Sequence, residues 1–283
     1  MILSFHPCFS ADHQIILGDR SLNSDDLSFI KEARVILLPQ SCPIKLYCAC
    51  KNSFALLFPN YETRFEYPGK IGQSIFFKKA GCPHPETIPW NSVDDFREAC
   101  RGSWPHDIPF LIKRDKSHEA DGIYLIEDSK TLESALDNLS NGGGQISPAF
   151  ISQELIPTSG NVLRVVVIGL KMITYWKRAQ NFGQIITTIR KGAKIDMDWR
   201  IDLQEKGRIL TQKFSDVTGI NLAAVDIVFP FNQADPEPLF IEINYYFGRR
   251  GLGGSLKYYR LLFEAIRKWL FAKGFDPKSI KLV

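Results

Sequence analysis

Residues 222–255 read LAAVDIVFPFNQADPEPLFIEINYYFGRRGLGGS. Two apolar runs, 223–229 and 239–244, flank a polar segment whose prolines force a turn over residues 232–238, so a β-hairpin is expected. Glu242 and Asn244 are two apart and share one face of the second strand. Symmetric closure about Ala234 sets Asp226 opposite Glu242 on that same face. Two carboxylates facing each other across a ladder repel. A divalent cation would offset the repulsion, and Asp226, Glu242 and Asn244 supply the hard oxygens that suit Mg²⁺ shared with a nucleotide phosphate. An edge hairpin whose acids stand in water is the other reading of the same spacing.

The rest of the chain limits the choices. Its 283 residues are 45% hydrophobic and 23% charged, with a net charge of +4. That length buries a substantial core and suits two or three domains. The positive charge is small and spread out, which argues against nucleic acid and against an acidic membrane surface as partners. No apolar stretch approaches the roughly 20 residues of a transmembrane helix. The first residues, MILSFHPCFSADHQ, carry neither the basic region nor the apolar run of a signal peptide. Cys8, Cys42, Cys48, Cys50, Cys82 and Cys100 form no C-x-x-C pair and are expected to be reduced thiols of a cytoplasmic protein. The histidines show no zinc-ligand spacing.

Working outward from the hairpin, residues 201–218 carry a helical stripe of Leu203, Leu210, Phe214 and Val217 that stops at Gly219. Residues 163–169 (LRVVVIG) form a buried strand with one charge, Arg164. Residues 171–178 (KMITYWKR) are its hairpin partner, turned at Gly169. So apolar a strand carries an arginine when a partner waits for it, or when the arginine snorkels to the strand end. Residues 149–156 (AFISQELI) start apolar and turn polar midway. Residues 109–113 (PFLIK) and 122–126 form a hairpin around the loop DKSHEAD, and a helix over 128–140 follows. Near the N-terminus, strands at 2–5, 35–38 and 54–58 with a helix over 24–34, capped by Ser24, suggest a small α/β unit. Lys70 precedes a helical pattern that ends at Gly81. A second short helix over 92–101 begins at Ser92, in capping-box spacing with Asp95. An amphipathic helix over 256–271 closes the chain.

This ordered set resembles the ATP-grasp superfamily: Lys70, the PFLIK hairpin, SQELI, LRVVVIG, Arg178, Asp226 and Glu242-x-Asn244. It is most similar to the branch of ribosomal-protein glutamate ligases and, more distantly, D-alanine–D-alanine ligase. The resemblance covers roughly residues 70–271. It implies an α+β ATP-grasp fold, two α+β subdomains gripping ATP, preceded by a small α/β pre-ATP-grasp domain. The expected division is 1–66, 67–154 and 155–283. The resemblance assigns Lys70, Lys113 and Ser117 of the 116–122 cover loop to the ATP phosphates. Gln153, Glu154, Leu155 and Ile156 fall to the adenine hinge. Arg164 and Arg178 become catalytic arginines, with Arg178 the better placed for the transferred phosphoryl group. Asp226, Glu242 and Asn244 become ligands of Mg²⁺ or Mn²⁺.

The implied chemistry is an ATP-dependent carboxylate–amine (or thiol) ligase working through an acyl phosphate on a small-molecule or peptide carboxylate. Phosphoryl transfer asks a protein for positioning and charge neutralisation, which lysines, arginines and Mg²⁺ provide. The alternatives are an ATP-binding module with weak or no catalysis, and an ATP-grasp kinase. The chain departs from its relatives at four places, one of them the acidic residue that often meets the ribose after the hinge, replaced here by Val162 or Asn161. Its cover loop reads SHEAD rather than a glycine-rich run. The Arg-x-Asn element of the glutamate-ligase branch is matched by Ile186 and Thr188. After Asn244 it carries Arg249, Arg250 and a Gly251-x-Gly253-Gly254 turn in place of Asn-x-x-Pro-Gly. Arg249, Arg250 and Gly253 are therefore candidate substrate residues, the two arginines suited to clamp a carboxylate.

Overall fold

The computed structural model describes residues 1–117, 121–140, 148–181, 184–185, 187 and 192–283. The N-terminal unit begins with β1 (Ile2–Ser4), β2 (Phe9–Ser10) and β3 (His13–Gln14). It continues through α1 (Ser24–Glu32), β4 (Val35–Leu37), α2 (Ile44–Lys51), β5 (Leu56–Phe58) and α3 (Glu62–Glu66). Strands β3, β1, β4 and β5 lie side by side in that order, all parallel. Helix α1 is capped by Asn23 rather than by the expected Ser24. The Asn23 side chain accepts from the Asp26 amide, and Asp26 returns the bond to Asn23. Helix α2 has no counterpart among the sequence expectations. It buries Leu46, Tyr47 and Cys50, too short a stripe to stand out in a pattern.

The middle of the chain holds α4 (Gly69–Lys79), β6 (Thr87–Trp90), α5 (Val93–Ala99), β7 (Phe110–Arg114), β8 (Ile123–Ile126), α6 (Ser129–Ser140) and β9 (Phe150–Glu154). The sheet order is β6-β9-β7-β8, antiparallel throughout. Helices α5 and α6 cover one face, with Val93, Phe96, Phe110, Ile112, Leu136 and Phe150 among the core between them. The other face, which carries Lys113 and Gln153, is left for the site. Lys70 stands inside the first turn of α4, not ahead of it.

The last part holds β10 (Val162–Ile168), β11 (Lys171–Arg178), β12 (Lys194–Asp196), α7 (Ile201–Thr218), β13 (Leu222–Val228), β14 (Leu239–Asn244) and α8 (Ser255–Ala272), then β15 (Lys281–Leu282), which pairs with β2. The five-stranded antiparallel sheet runs β12-β11-β10-β13-β14. Helix α7 packs on one face through Leu203 and Phe214, in a core shared with Leu3, Ile36 and Tyr61 of the N-terminal unit. Helix α8 packs on one end of the other face through Tyr258, Leu262 and Ile266, against Val166, Ile168 and Ala224. The remaining part of that second face is where the polar residues gather.

Candidate functional site

The alternation of β-strand side chains decides which residues reach the site. Arg164 on β10 stands opposite Tyr175 on β11 and opposite Asp226 on β13, and Asp226 stands opposite Glu242 on β14. Asn244 is the next residue of β14 on that face. The expected Asp226–Glu242 pairing is present. Symmetric closure then stops: Ile227 pairs with Phe240, so Ile241 is an extra residue and β14 bulges beside Glu242.

Asp226 is 3% exposed and carries a dense set of donors. Arg164 donates Nε to Oδ1 and Nη2 to Oδ2, each at 2.8 Å. Lys177 donates Nζ to Oδ2 at 2.9 Å, and Asn244 adds its Nδ2 at 3.3 Å. Burial opposes a charged carboxyl here, but the Arg164 and Lys177 charges outweigh it and hold Asp226 well below the usual carboxylate range. Burial pulls Lys177 below the ordinary lysine value, and Asp226 resists that fall.

Arg178 does not join this cluster. It follows Lys177 on β11, so its side chain leaves from the opposite face. There it bonds Asp196 at 3.0 Å and lies over the Trp199 ring at 4.3 Å. The expectation that Arg178 is the better placed arginine is corrected accordingly: Lys177 occupies the site face. The clue was present in the sequence. Once Gly169 sets the β10–β11 turn, Arg164 falls opposite Tyr175, and the next residue on that face is Lys177.

The middle sheet contributes from across the cleft. Lys113 on β7 is 8% exposed and donates to Gln153 Oε1 at 2.5 Å, and Gln153 passes a bond to Thr87 Oγ1 at 2.8 Å. Burial brings Lys113 down to about 8; Glu242 and Asp226 resist the fall and Lys70 adds to it. A lysine from one sheet therefore feels the acids of the other. Lys70 donates to the Ser117 carbonyl at 2.7 Å and to Ser117 Oγ at 3.2 Å, at the start of the cover loop. Residues 118–120 of that loop, and Ile186 and Thr188, lie outside the described residues.

Two contacts hold α4, and with it Lys70, in place. Asp115 at the end of β7 accepts from the Ile71 amide at 3.1 Å and caps the helix. Gly69 permits this, because a Cβ there would collide with the Asp115 carboxylate. Gln73, one turn beyond Lys70, donates to the Ile243 carbonyl at 2.9 Å and accepts the Ile243 amide at 2.8 Å. The outer edge of β14 is thereby satisfied by a side chain, and Lys70 is set beside the strand that bears Glu242 and Asn244.

The remaining candidates are more dispersed. Glu154 follows Gln153 on β9, so its side chain leaves from the other face, where its carboxylate accepts from the Glu86 amide at 3.3 Å. Leu155 and Ile156 lie just past β9, and the Pro157 carbonyl takes the Phe231 amide at 3.0 Å, tying this segment to the loop after β13. Arg249 lies over the rings of Tyr258 and Tyr259, 4.8 and 4.6 Å from their centroids. Arg250 and Gly253 instead line a cavity with Ile173 and Ile195. The two arginines face different surroundings, so the structure does not bring them together as one clamp. Tyr175 separates the charged cluster from this cavity. Its hydroxyl is buried without a hydrogen-bond partner among the described residues, and Gly251 lies so close to its ring that a Cβ would overlap it.

The donor set can be weighed for a cation. Glu242 faces Asp226 directly, and Asn244 turns its amide nitrogen toward Asp226, which leaves the amide oxygen for another partner. Among the described residues no group of three or more His, Cys, Asp or Glu side chains is placed to hold a metal. Two or three oxygens of this kind fit Mg²⁺, which keeps several waters and takes its other ligands from phosphates.

Comparisons with known proteins identify the fold and the family. The model of the RimK-like ATP-grasp domain matches residues 80–258. A probable alpha-L-glutamate ligase of Syntrophotalea carbinolica is 27% identical over 145 residues, 51% of this chain and 44% of that protein. A tetrahydromethanopterin:alpha-L-glutamate ligase of Methanosarcina acetivorans is 28% identical over 166 residues, 56% of this chain and 49% of that protein. The chain spans about half the length of the curated relatives it matches. A RimK domain ATP-grasp protein from Sphaerobacter thermophilus superposes with a TM-score of 0.57 at 14% identity, covering 92% of this chain and 97% of that one. The sheets, the cleft between them and the matched residues lead to one conclusion: the fold is ATP-grasp, and the chain belongs to the RimK-like ATP-grasp family.

Proposed function

We propose that this chain is an ATP- and Mg²⁺-dependent ligase that joins a carboxylate to an amine or thiol through an acyl phosphate. The observation that carries this reading is the convergence of Lys113 from the middle sheet on the Arg164, Lys177, Asp226 and Glu242 cluster of the last sheet. The relatives named as alpha-L-glutamate ligases support the carboxylate–amine class. The division into units 1–66, 67–154 and 155–283 belongs to the same reading, with the cleft between the second and third.

Arg164 and Lys177 bond Asp226, Lys113 feels Asp226 and Glu242 from the other sheet, and Lys70 stands near Lys113, so four cations against two carboxylates leave positive charge for a triphosphate. Lys70 and Lys113 hold the phosphates, and Gln153 fixes the Lys113 ammonium. Asp226 keeps Arg164 and Lys177 aimed into the cleft. Glu242 and the Asn244 amide oxygen, with Asp226, would hold Mg²⁺, which supplies charge neutralisation at the phosphates. A substrate carboxylate oxygen attacks the γ-phosphorus, the bond to the β-phosphate oxygen breaks, and ADP leaves. The amine nitrogen then attacks the acyl carbon, phosphate departs, and the amine gives its proton to solvent.

Thermal denaturation with and without Mg-ATP tests the reading. The wild type gains stability by linkage, and Glu242→Gln loses the metal-dependent part. ADP release that requires both an acid and an amine completes the assignment. A melting temperature unmoved by Mg-ATP would remove the proposal.

A further inference from the structure

The edge of the last sheet is incomplete. Strand β11 runs over eight residues, yet β12 pairs only with Trp176, Lys177 and Arg178. Among the described residues, the 171–175 part of β11 has no strand on its outer side. Met172, Ile173 and Thr174 are half-buried there, and Leu170 and Lys171 are exposed. Two cavities flank this open edge, one on each face. On the α7 face a cavity of about 330 Å³ is lined by Met172, Thr174, Gln204 and Arg208 among others. On the α8 face a cavity of about 310 Å³ is lined by Ile173, Ile195, Arg250, Leu252 and Lys257 among others. Ile173 and Met197 border both.

We infer that this edge docks an extended polypeptide as an added strand beside β11, with an acidic side chain directed into the cavity on the α8 face. An exposed strand edge offers unpaired backbone groups, and an added strand sends alternate side chains to opposite faces, as the two cavities require. The charges differ between the faces. On the α7 face Arg208 is matched by Glu205 in a bond of 2.6 Å. On the α8 face Arg250 and Lys257 have no acidic partner among the described residues, and Lys171 shares that face of β11. The stem of Lys257 lies against Gly253, which has no side chain to displace it. A strand neutral on one face and acidic on the other complements this edge.

The cavity on the α8 face lies on the same face of β11 as the charged cluster. Ile173, Tyr175 and Lys177 alternate along one face, so the cavity and the charged cluster are about 13 Å apart, four residues of extended chain. A docked strand stays beside residues 171–175, because β12 occupies the outer side of β11 from Trp176 to Arg178. That the docked chain is the substrate rests on the ligase reading above, whereas docking itself does not.

The test uses the full chain and a fluorescein-labelled octapeptide of alternating valine and threonine with one central glutamate, titrated by anisotropy without ATP. The glutamate peptide binds about fivefold more tightly than its glutamine counterpart, the scale of a partly exposed charge pair. Methylation of alternate backbone nitrogens on the strand edge removes binding. Lys257→Glu reverses the preference, so that a peptide with a central lysine now binds better; this swap also demonstrates that the variant is folded. Equal binding of the methylated peptide, or indifference to the charge swap, overturns the proposal. Mg-ATP stabilisation and ADP release, measured separately, report on the ligase reading whatever the peptide does.

Discussion

Arg164 grips Asp226 in a fork, Nε on one carboxylate oxygen and Nη2 on the other, both at 2.8 Å across a register pair of neighbouring strands. Both residues are largely withdrawn from water. Removing one member of such a buried pair leaves the other charged and unpaired. Asp226→Asn is therefore expected to destabilise the protein by about 3–5 kcal/mol. Urea denaturation measures it. A loss of less than about 1 kcal/mol would mean that the fork is broken or solvated in solution.

Lys177 and Arg178 are adjacent and face opposite sides of the sheet, so the ligase reading assigns them different fates. Lys177→Met removes a charge from the cleft and is expected to lower turnover about a hundredfold, in the range of a lost electrostatic stabiliser. Arg178→Met removes the bond to Asp196 and the contact with Trp199, outside the cleft. Its main effect is on stability, by about 1 kcal/mol. Steady-state ADP release by the two variants discriminates: equal losses of kcat contradict the geometry.

These two residues also mark what was legible in the sequence. The bounds of β11 and the Asp226–Glu242 pairing follow from apolar runs and their turns, because strand periodicity is a local property. Which of two adjacent cations faces the cleft follows from the register, which the turn at Gly169 sets. The bulge at Ile241 and the bracket of Gln73 around Ile243 are different in kind. The bulge is one extra residue in an otherwise regular pair, the bracket joins elements 170 residues apart, and no pattern in the segments announces either. The same holds for Arg249 and Arg250, which the turn from residue 250 to 252 sends to different surroundings.

Gly251 and Tyr175 make a packing prediction independent of catalysis. A methyl group on Gly251 meets the Tyr175 ring with no room to spare. Gly251→Ala is expected to cost about 1–3 kcal/mol through overpacking. Tyr175→Leu shortens the obstructing side chain, so the double variant should recover part of that loss. A double-mutant cycle by thermal denaturation reads the coupling, and additive effects would place the ring elsewhere.

His6 follows β1 and is 4% exposed, its ring stacked on Phe9 and its Nδ1 accepting from the Cys8 amide. Burial, with the charge of Arg249, lowers its pKa to about 4. The unfolded chain, with its histidine near the ordinary value of 6.5, binds more protons between those two values. Stability therefore falls as the pH drops through that window, by roughly 2–3 kcal/mol from this residue. His6→Gln removes the titration, so its stability curve should be flatter than the wild type's from pH 6.5 to 4. Parallel curves would contradict the assignment.

Lys113 carries the opposite end of the pH range. Its folded pKa of about 8 lies below the 10.5 of an ordinary lysine, because the ammonium is buried and Glu242 and Asp226 only partly compensate. Between those values the unfolded state holds more protons, so the ligand-free protein gains stability as pH rises from 8 toward 10.5. Bound triphosphate brings negative charge to the same ammonium and raises its pKa. Near pH 8.5 the ligand-free lysine is largely neutral and the bound one charged, so ATP binding should take up a fraction of a proton. Calorimetric titration in two buffers of different ionisation enthalpy counts that uptake. Lys113→Arg, which stays charged throughout, should abolish it. Equal uptake by wild type and variant would assign the proton to another group and leave Lys113 outside the phosphate site.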